Sequence, residues 1–274
     1  MHGAEVKPLY TLLKFLVLSA LLVTAFKSSA QNLHDSWNTL LTKHVVAINH
    51  GHSTEVDYAA IKHEHTQLKA YLNTLTAITP GEFNTWGKHK QLAFLINAYN
   101  AFTVELILTQ YPNIESIKEL GSFFSSPWSK EFISLLGKTR SLDDIEHELI
   151  RGSGKYNDPR IHFAVNCASI GCPALREEAY SADKLEEQLH QQTVRFLSDN
   201  TRNMATGNTL NVSSIFKWYG GDFEQGFKGA NTLHPFLAQY ADALKLLPAQ
   251  QKALQNNDMK IKFLDYNWNL NARR

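Results

Sequence analysis

The residues best suited to chemistry lie in one short stretch, NDPRIHFAVNCASIGCPALR over 157–176, which holds both cysteines of the chain, Cys167 and Cys172. A cysteine acts as a nucleophile when a neighbouring base and an exposed position favour its thiolate. His162 is the histidine nearest in sequence, and His147 is a second candidate base. Export would favour a Cys167–Cys172 disulfide instead. The residues alone leave open a disulfide, two buried thiols and a reactive thiol.

The residues before Cys167 alternate as a strand does. Apolar residues at 161, 163 and 165 share one parity, which predicts a strand over 161–166. Positions five apart on one strand point to opposite faces. His162 and Cys167 therefore meet only if the chain turns near Asn166.

Metal and nucleotide chemistry have little support in this sequence. The histidines at 147 and 162 and the cysteines at 167 and 172 carry zinc-binding atoms, but their spacing matches no zinc pattern. The chain has no GxSxG, P-loop, GxGxxG or HExxH motif. We therefore expect no metal and no cofactor.

The most apolar segment after the N-terminal region runs from about residue 92 to residue 108 and predicts a central buried helix. Asn97, Asn100 and Glu105 interrupt it on one side. Buried polar groups need partners, because leaving one unpaired costs on the order of 1–3 kcal/mol. These three side chains either form a structural hydrogen-bond network or line a pocket, where the asparagines would orient a base or stabilise an oxyanion.

Two further candidates precede the cysteines. Ser141 and Asp144 form a capping-box variant, which predicts a helix over 142–151 that carries Glu146 and His147. Arg160 follows the Asp158–Pro159 turn. We expect Glu146 and Arg160 to bind or orient groups at a composite site.

The remaining periodicities indicate an α+β fold rich in helix. Helices are expected over 32–48, 58–75, from Pro80, over 181–197, 235–243 and 248–255, with a hairpin over 131–142 and strands over 209–212 and 259–264. We expect one large domain in which a small, mostly antiparallel sheet packs on the helix at about 92–108. Residues 31–83 would form a helical N-terminal extension.

The first thirty residues have the layout of a secretory signal peptide. Lys7 precedes an apolar run over 15–26, which is short for a membrane span, and cleavage is expected near Ala30. The protein would then be periplasmic or secreted, with no membrane span in its mature form. The net charge of +1 and the lack of a basic run give no reason to expect nucleic acid as a partner.

Several motifs together resemble the domain of unknown function 547 family. They are FLINAYNAFTVELIL (94–108), SLDDIEHELIR (141–151), DPRIHFAVNCASIGCPALREEAY (158–180), SSIFKWYGGDF (213–223) and FLDYNWNLN (263–271). The resemblance implies a family core over about 84–200 and a C-terminal flank over 201–274. It implies no reaction, but its motifs coincide with the polar candidates above and support one composite site.

Two functions follow from these residues. In the first, Cys167 is the nucleophile of a thiol-dependent hydrolase or acyl transferase that acts on peptide or amide bonds in the cell envelope, with His162 or His147 as base. In the second, the protein is a non-catalytic envelope module stapled by a Cys167–Cys172 disulfide. Its aromatic loop over 216–227 then binds a peptide, a glycan or a protein.

Overall fold

The computed structural model describes residues 32–122 and 125–273. By its internal contacts the chain divides into two units, Met1–Leu33 and His34–Arg274, and every element given below lies in the second. The predicted signal peptide lies outside the described residues, so export stays a prediction.

The described residues form α-helices, short strands and several short helices of other types. The α-helices are α1 Asp35–His44, α2 Tyr58–His63, α3 His65–Thr76, α4 Pro80–Thr85, α5 Lys88–Leu108, α6 Leu185–Leu197, α7 Ile215–Trp218, α8 Leu233–Ala238 and α9 Pro248–Gln255. The strands are β1 Val45–Ile48, β2 Ser53–Val56, β3 Ile133–Leu135, β4 Lys138–Arg140, β5 Met204–Thr206, β6 Thr209–Ser213 and β7 Lys260–Leu264. A π-helix spans Asp144–Arg151, and 3-10 helices span Ile117–Leu120, Pro127–Ser129, Pro159–Phe163 and Gly220–Glu224.

The α+β class is confirmed, with the strands distributed among three small sheets. Strands β1 and β2 form an antiparallel pair, as do β3 and β4, which are the predicted hairpin. Strand β6 pairs antiparallel with β5 and parallel with β7. The predicted strands over 209–212 and 259–264 are therefore neighbours in one sheet.

The central buried helix is confirmed as α5. All but a few of its residues are buried, and it packs against α3, α2 and the π-helix. Its length and composition would allow it to cross a membrane, but 94% of its most apolar window is buried inside the protein. Such burial is typical of a core helix, whose apolar surface is covered by protein on all sides.

Apart from the surroundings of α5, a cluster of buried residues joins the middle of the chain to its C-terminal part. Phe163 and Phe196 pack there with Phe216, Phe223 and Phe236. The residues that follow α6 thus share a core with residues that precede it.

The strand predicted over 161–166 is wrong, because Pro159–Phe163 is a 3-10 helix. The Asp158 side chain accepts a hydrogen bond from the Arg160 backbone N–H at 2.9 Å, and Pro159 occupies the first turn. Ile161, His162 and Phe163 are all buried, so the alternation did not mark two different faces.

Helix boundaries also differ from the predictions over 32–48 and 58–75. Helix α1 ends at His44, and the next four residues pair with β2 instead of continuing the helix. Helices α2 and α3 are separated at Glu64. The helix start at Pro80 is confirmed, with the Thr79 hydroxyl accepting from the Glu82 N–H at 3.1 Å.

Candidate functional site

A cavity of about 190 Å³ opens beside the residues 166–173, which we call the Cys loop. Its lining is Tyr99, Trp128, Asp143, Glu146, His162, Val165, Cys167, Cys172, Pro173, Ile215, Trp218, Tyr219, Tyr266 and Trp268. An apolar, aromatic lining on which a few polar groups converge is typical of small-molecule sites. The structure thus brings together four of the predicted residues: Glu146, His162, Cys167 and Cys172.

The sulfurs of Cys167 and Cys172 form a disulfide on one side of the cavity. The Cys167 backbone N–H points to the Cys172 Sγ at 2.8 Å. Asn166 stabilises the loop, because its side chain accepts from the Ala168 N–H at 2.9 Å and donates to the Pro173 carbonyl at 2.7 Å. Of the three cysteine states that the sequence left open, the structure has the disulfide, and in this state neither cysteine offers a thiolate.

His162 is buried at the inner end of the cavity and held by Asp222. Its Nε2 lies 2.7 Å from the Asp222 Oδ2, and its ring stacks on that of Tyr219 with 4.0 Å between centroids. The other nitrogen, Nδ1, is buried without a hydrogen-bond partner and lies 3.9 Å from the Glu146 Oε1. The ring is thus oriented through one nitrogen, while the other stays unpaired beside the Glu146 carboxylate.

Asp222 also binds Arg151. The Arg151 Nε and Nη2 donate to its two carboxylate oxygens at 2.5 and 3.1 Å. Burial by itself raises the pKa of Asp222, but the hydrogen bonds from His162 and Arg151 outweigh burial and hold the pKa well below its usual range. Asp222 is therefore an ionised carboxylate in the folded protein and holds the side chains of His162 and Arg151 in place.

Glu146 is a buried carboxylate on the π-helix, only 5% exposed. The hydroxyls of Tyr99 and Tyr219 lie beside it. Burial and then the negative charge of Glu146 raise the pKa of both phenols, so both stay protonated and can donate to the carboxylate. The reciprocal capping predicted for Ser141 and Asp144 is confirmed, and it fixes the start of this helix.

Asp143 and His147 lie nearer the surface. The Asp143 carboxylate is 38% exposed and lies 3.6 Å from the His147 Nε2. Burial raises the pKa of Asp143, and the charge of His147 opposes that rise. The His147 Nδ1 is 2.9 Å from an Arg151 nitrogen, and His147 does not line the cavity.

One side of the cavity consists of four aromatic side chains. We call this set the aromatic wall: Trp128, Trp218, Tyr266 and Trp268. Ring centroids are 4.9 Å apart for Trp218 and Tyr266, 4.5 Å for Tyr266 and Trp268, and 5.7 Å for Trp128 and Trp268. Trp218 is 46% exposed. Such an exposed indole beside a cavity is available for contact with a ligand.

The C-terminal tail, residues 265–273, brings Tyr266 and Trp268 to the Cys loop by backbone pairing. Gly171 donates its N–H to the Asn267 carbonyl and Ile170 donates to the Asn269 carbonyl, both at 2.8 Å. The Tyr266 hydroxyl lies 3.1 Å from the Cys167 Sγ. The Cys loop and the C-terminal tail are therefore joined to each other beside the cavity.

Asn97 and Asn100 belong to a structural network. Asn97 donates to the Tyr180 carbonyl and accepts from the Tyr180 N–H, at 2.8 and 3.0 Å. Asn100 donates to the Ala164 carbonyl at 3.0 Å and accepts from the Asn166 N–H at 2.8 Å. Both amides fix loops to α5, and neither lines the cavity.

Glu105 and Arg160 also lie away from the cavity. Glu105 is 2.7 Å from the His65 Nε2 at the other end of α5. Arg160 binds the Asp158 carboxylate and reaches Glu186 at 2.8 Å. Neither side chain lines the cavity.

Sequence reasoning missed Asp222 and most of the aromatic wall as site residues. Trp218 and Asp222 fall within the loop over 216–227 that was expected to bind a partner. The motifs SSIFKWYGGDF and FLDYNWNLN contained the signal, since they hold Trp218, Asp222, Tyr266 and Trp268.

Within the described ranges 32–122 and 125–273, no group of three or more His, Cys, Asp and Glu side chains is placed to hold a metal ion.

Residues 83–197 match the family model described as "Protein of unknown function, DUF547". The chain carries a DUF547 domain. The family resemblance seen in the motifs is confirmed. No curated protein and no solved structure is significantly similar to the chain.

The DUF547 match contains only part of the cavity lining. It includes Glu146, His162 and the Cys loop, but Trp218, Tyr219 and the C-terminal tail follow it. The boundaries expected at 84 and 200 stay a prediction. The site as a whole needs residues on both sides of the end of the DUF547 match.

Proposed function

We propose that this DUF547 protein is a binding module of the cell envelope that holds a small organic ligand in the cavity. The observation that carries the proposal is the meeting of the aromatic wall, in which Trp218 is exposed, with a buried carboxylate, Glu146, at one cavity. Apolar area supplies affinity in such sites, and a few polar groups supply specificity. The disulfide serves here as a structural staple.

Export is part of this proposal. The apolar run before Ala30 and the disulfide, which persists in oxidising compartments, both support it. N-terminal sequencing of protein from the envelope fraction is expected to find a terminus near residue 31. A chain that stays in the cytoplasm would contradict export.

A ligand panel tests the binding function. Small amines, sugars and dipeptides are added to wild type, to Trp218→Ala and to Trp86→Ala, and the shift in Tm is measured. A ligand that binds the folded state raises Tm. At least one class is expected to stabilise wild type and Trp86→Ala but not Trp218→Ala. Trp86 is the matched control because its indole packs on Phe83 and Phe94, outside the cavity. No shift with any class would contradict a binding function.

One observation favours a thiol-dependent hydrolase or acyl transferase as a second candidate. His162 is oriented by Asp222 and shares a cavity with Cys167, which is how a base and a nucleophile are arranged in thiol enzymes. This function requires that an external dithiol first reduce the disulfide to two thiols, becoming oxidised itself.

Intact mass after alkylation separates the two candidates. Native protein from its own compartment is alkylated with and without reductant. If the disulfide is a structural staple, the native protein takes up no alkyl label without reductant and two labels after reduction. One fast label on Cys167 in native protein would instead support the thiol enzyme, because only a reactive, accessible thiolate is modified quickly.

A further inference from the structure

We propose that the ligand is a small primary ammonium ion with an apolar substituent, its nitrogen held between Glu146 and His162 and its substituent against the aromatic wall. This inference rests on the proposed binding function, since it names the chemical class of the ligand that the same cavity takes.

The charge in the cavity is the first argument. Its described lining includes the carboxylates of Glu146 and Asp143 and no lysine or arginine. Arg151, which feels the charge of Glu146, donates its Nε and Nη2 hydrogens to Asp222. A buried carboxylate whose cavity is lined by no lysine or arginine repels an anionic ligand and attracts a cationic one, and low polarity strengthens both effects.

The unpaired nitrogen of His162 is a second and independent observation. His162 is 3% exposed, and its Nδ1 has no hydrogen-bond partner among the described residues. In the neutral ring, donation from Nε2 to Asp222 leaves Nδ1 as an acceptor. The Nδ1 and the Glu146 Oε1 are 3.9 Å apart, so one ligand nitrogen with two N–H groups can donate to both. A primary ammonium has the required donors, whereas a quaternary ammonium has none.

The aromatic wall adds affinity for the same charge. Trp rings attract cations over their faces, within about 6 Å of the ring centroid. The Lys118 Nζ already lies 4.0 Å from the Trp268 ring centroid without lining the cavity. The neighbouring faces of Trp218 and Tyr266 offer the same attraction to a ligand, together with apolar area for its substituent.

The size of the cavity limits the ligand. A dry cavity of about 150 Å³ in another protein holds benzene. The volume of about 190 Å³ here therefore suits a single ring or short chain with one head group, and is small for a disaccharide. An arylalkyl or short alkyl amine satisfies size, charge and hydrogen bonding together.

Four probes with one ring and different head groups test the assignment: benzylamine, benzyl alcohol, benzoate and benzyltrimethylammonium. Quenching of the wall tryptophans is titrated at pH 7 with the full mature chain. Benzylamine is expected to bind about tenfold or more tightly than benzyl alcohol, which is the usual worth of a charged hydrogen bond. Benzoate is expected not to bind.

Variants locate the charge that selects the ligand. Glu146→Gln is expected to remove most of the preference for benzylamine over benzyl alcohol. Glu148→Gln is the matched control, because that side chain lies on the same π-helix and is 68% exposed. If Glu146→Gln does not fold, Asp143→Asn replaces it, with a smaller loss in the same direction.

The outcomes distinguish the ligand class from the binding function. Equal or tighter binding of benzyl alcohol or benzoate would overturn the ammonium assignment while leaving a binding function intact. Tighter binding of benzyltrimethylammonium would overturn donation to His162. An equal loss in Glu148→Gln would show a general charge effect and overturn the role of Glu146. No binding of any probe, together with no shift in the ligand panel, would overturn both proposals.

Discussion

Asp222 fixes two side chains at once, because one of its oxygens accepts from both His162 and Arg151. His162 is consequently held by a carboxylate that stays charged, while its free nitrogen faces a second carboxylate, Glu146. The two carboxylates have different tasks: Asp222 orients the ring, and Glu146 remains available to a ligand.

Replacing Asp222 by Asn is expected to lower the free energy of unfolding by about 2 kcal/mol at pH 7, since it removes charged hydrogen bonds. The folded protein depresses the pKa of Asp222. The stabilisation is therefore complete above the unfolded pKa of about 4 and is lost as pH falls through the folded pKa. Urea unfolding at pH 7 and at pH 3 should show that the difference in free energy of unfolding between wild type and variant is smaller at pH 3. Asp242→Asn, at an exposed position, is the control. A gap of equal size at both pH values would contradict the ion-pair account.

Single residues show what the sequence could and could not reveal about the site. Cys167 and His162 were recognisable as neighbours of one loop, but Asp222 lies sixty residues from His162 and only the fold brings them together. Asn97 and Asn100 looked equally functional. Their partners are backbone groups of distant loops, and no pattern in the helix itself distinguishes such a role from catalysis.

At the scale of elements, the site depends on how closely the C-terminal tail approaches the Cys loop. A Cβ on Gly171 would lie 2.9 Å from the Tyr266 ring and 3.0 Å from the Asn267 carbonyl oxygen. Both distances are too short for a carbon atom, so only glycine allows this pairing without displacement.

Gly171→Ala is expected to lower the free energy of unfolding by about 1–3 kcal/mol, as overpacking usually does, and to displace Tyr266 from the wall. Gly81→Ala is the control. Its nearest neighbour would be the Thr79 Oγ1 at 3.8 Å, and alanine inside α4 should instead stabilise by about 0.5–1 kcal/mol. Urea unfolding measures both variants. A Gly171→Ala protein as stable as wild type would show that the loop and the tail are not in such close contact.

Periodicity predicted several elements that have one exposed face, but it was wrong for one short segment in which every residue is buried. The hairpin of β3 and β4 and the strands β6 and β7 were found from their patterns. The 3-10 helix Pro159–Phe163 was not, because burial of all its apolar and polar residues removes the contrast that periodicity needs. Its capping aspartate and its proline were the better signal.

At the scale of the whole molecule, the core extends past the end of the DUF547 match at residue 197. Phe163, Phe196 and Leu197 lie within the match, and their cluster is completed by residues from 210 to 259. The cavity is divided at the same point. Core and cavity therefore depend on the same C-terminal residues.

A fragment of residues 83–197 is expected not to unfold cooperatively. Each large apolar side chain that loses its cover forfeits about 1.5–3 kcal/mol, and three of them together approach the whole stability of a typical domain, about 5–15 kcal/mol. Residues 34–274, which include the entire cluster, should show one sigmoidal urea transition and a structured near-ultraviolet circular dichroism spectrum. A longer fragment, 83–264, contains the whole cluster but lacks the C-terminal tail and the N-terminal helices. We expect this fragment to unfold with a weaker cooperative transition than residues 34–274, which would separate the contribution of the cluster from that of the tail and the N-terminal helices. A cooperative transition in residues 83–197 alone would mean that the DUF547 match is a complete folding unit and that the C-terminal flank serves the cavity only.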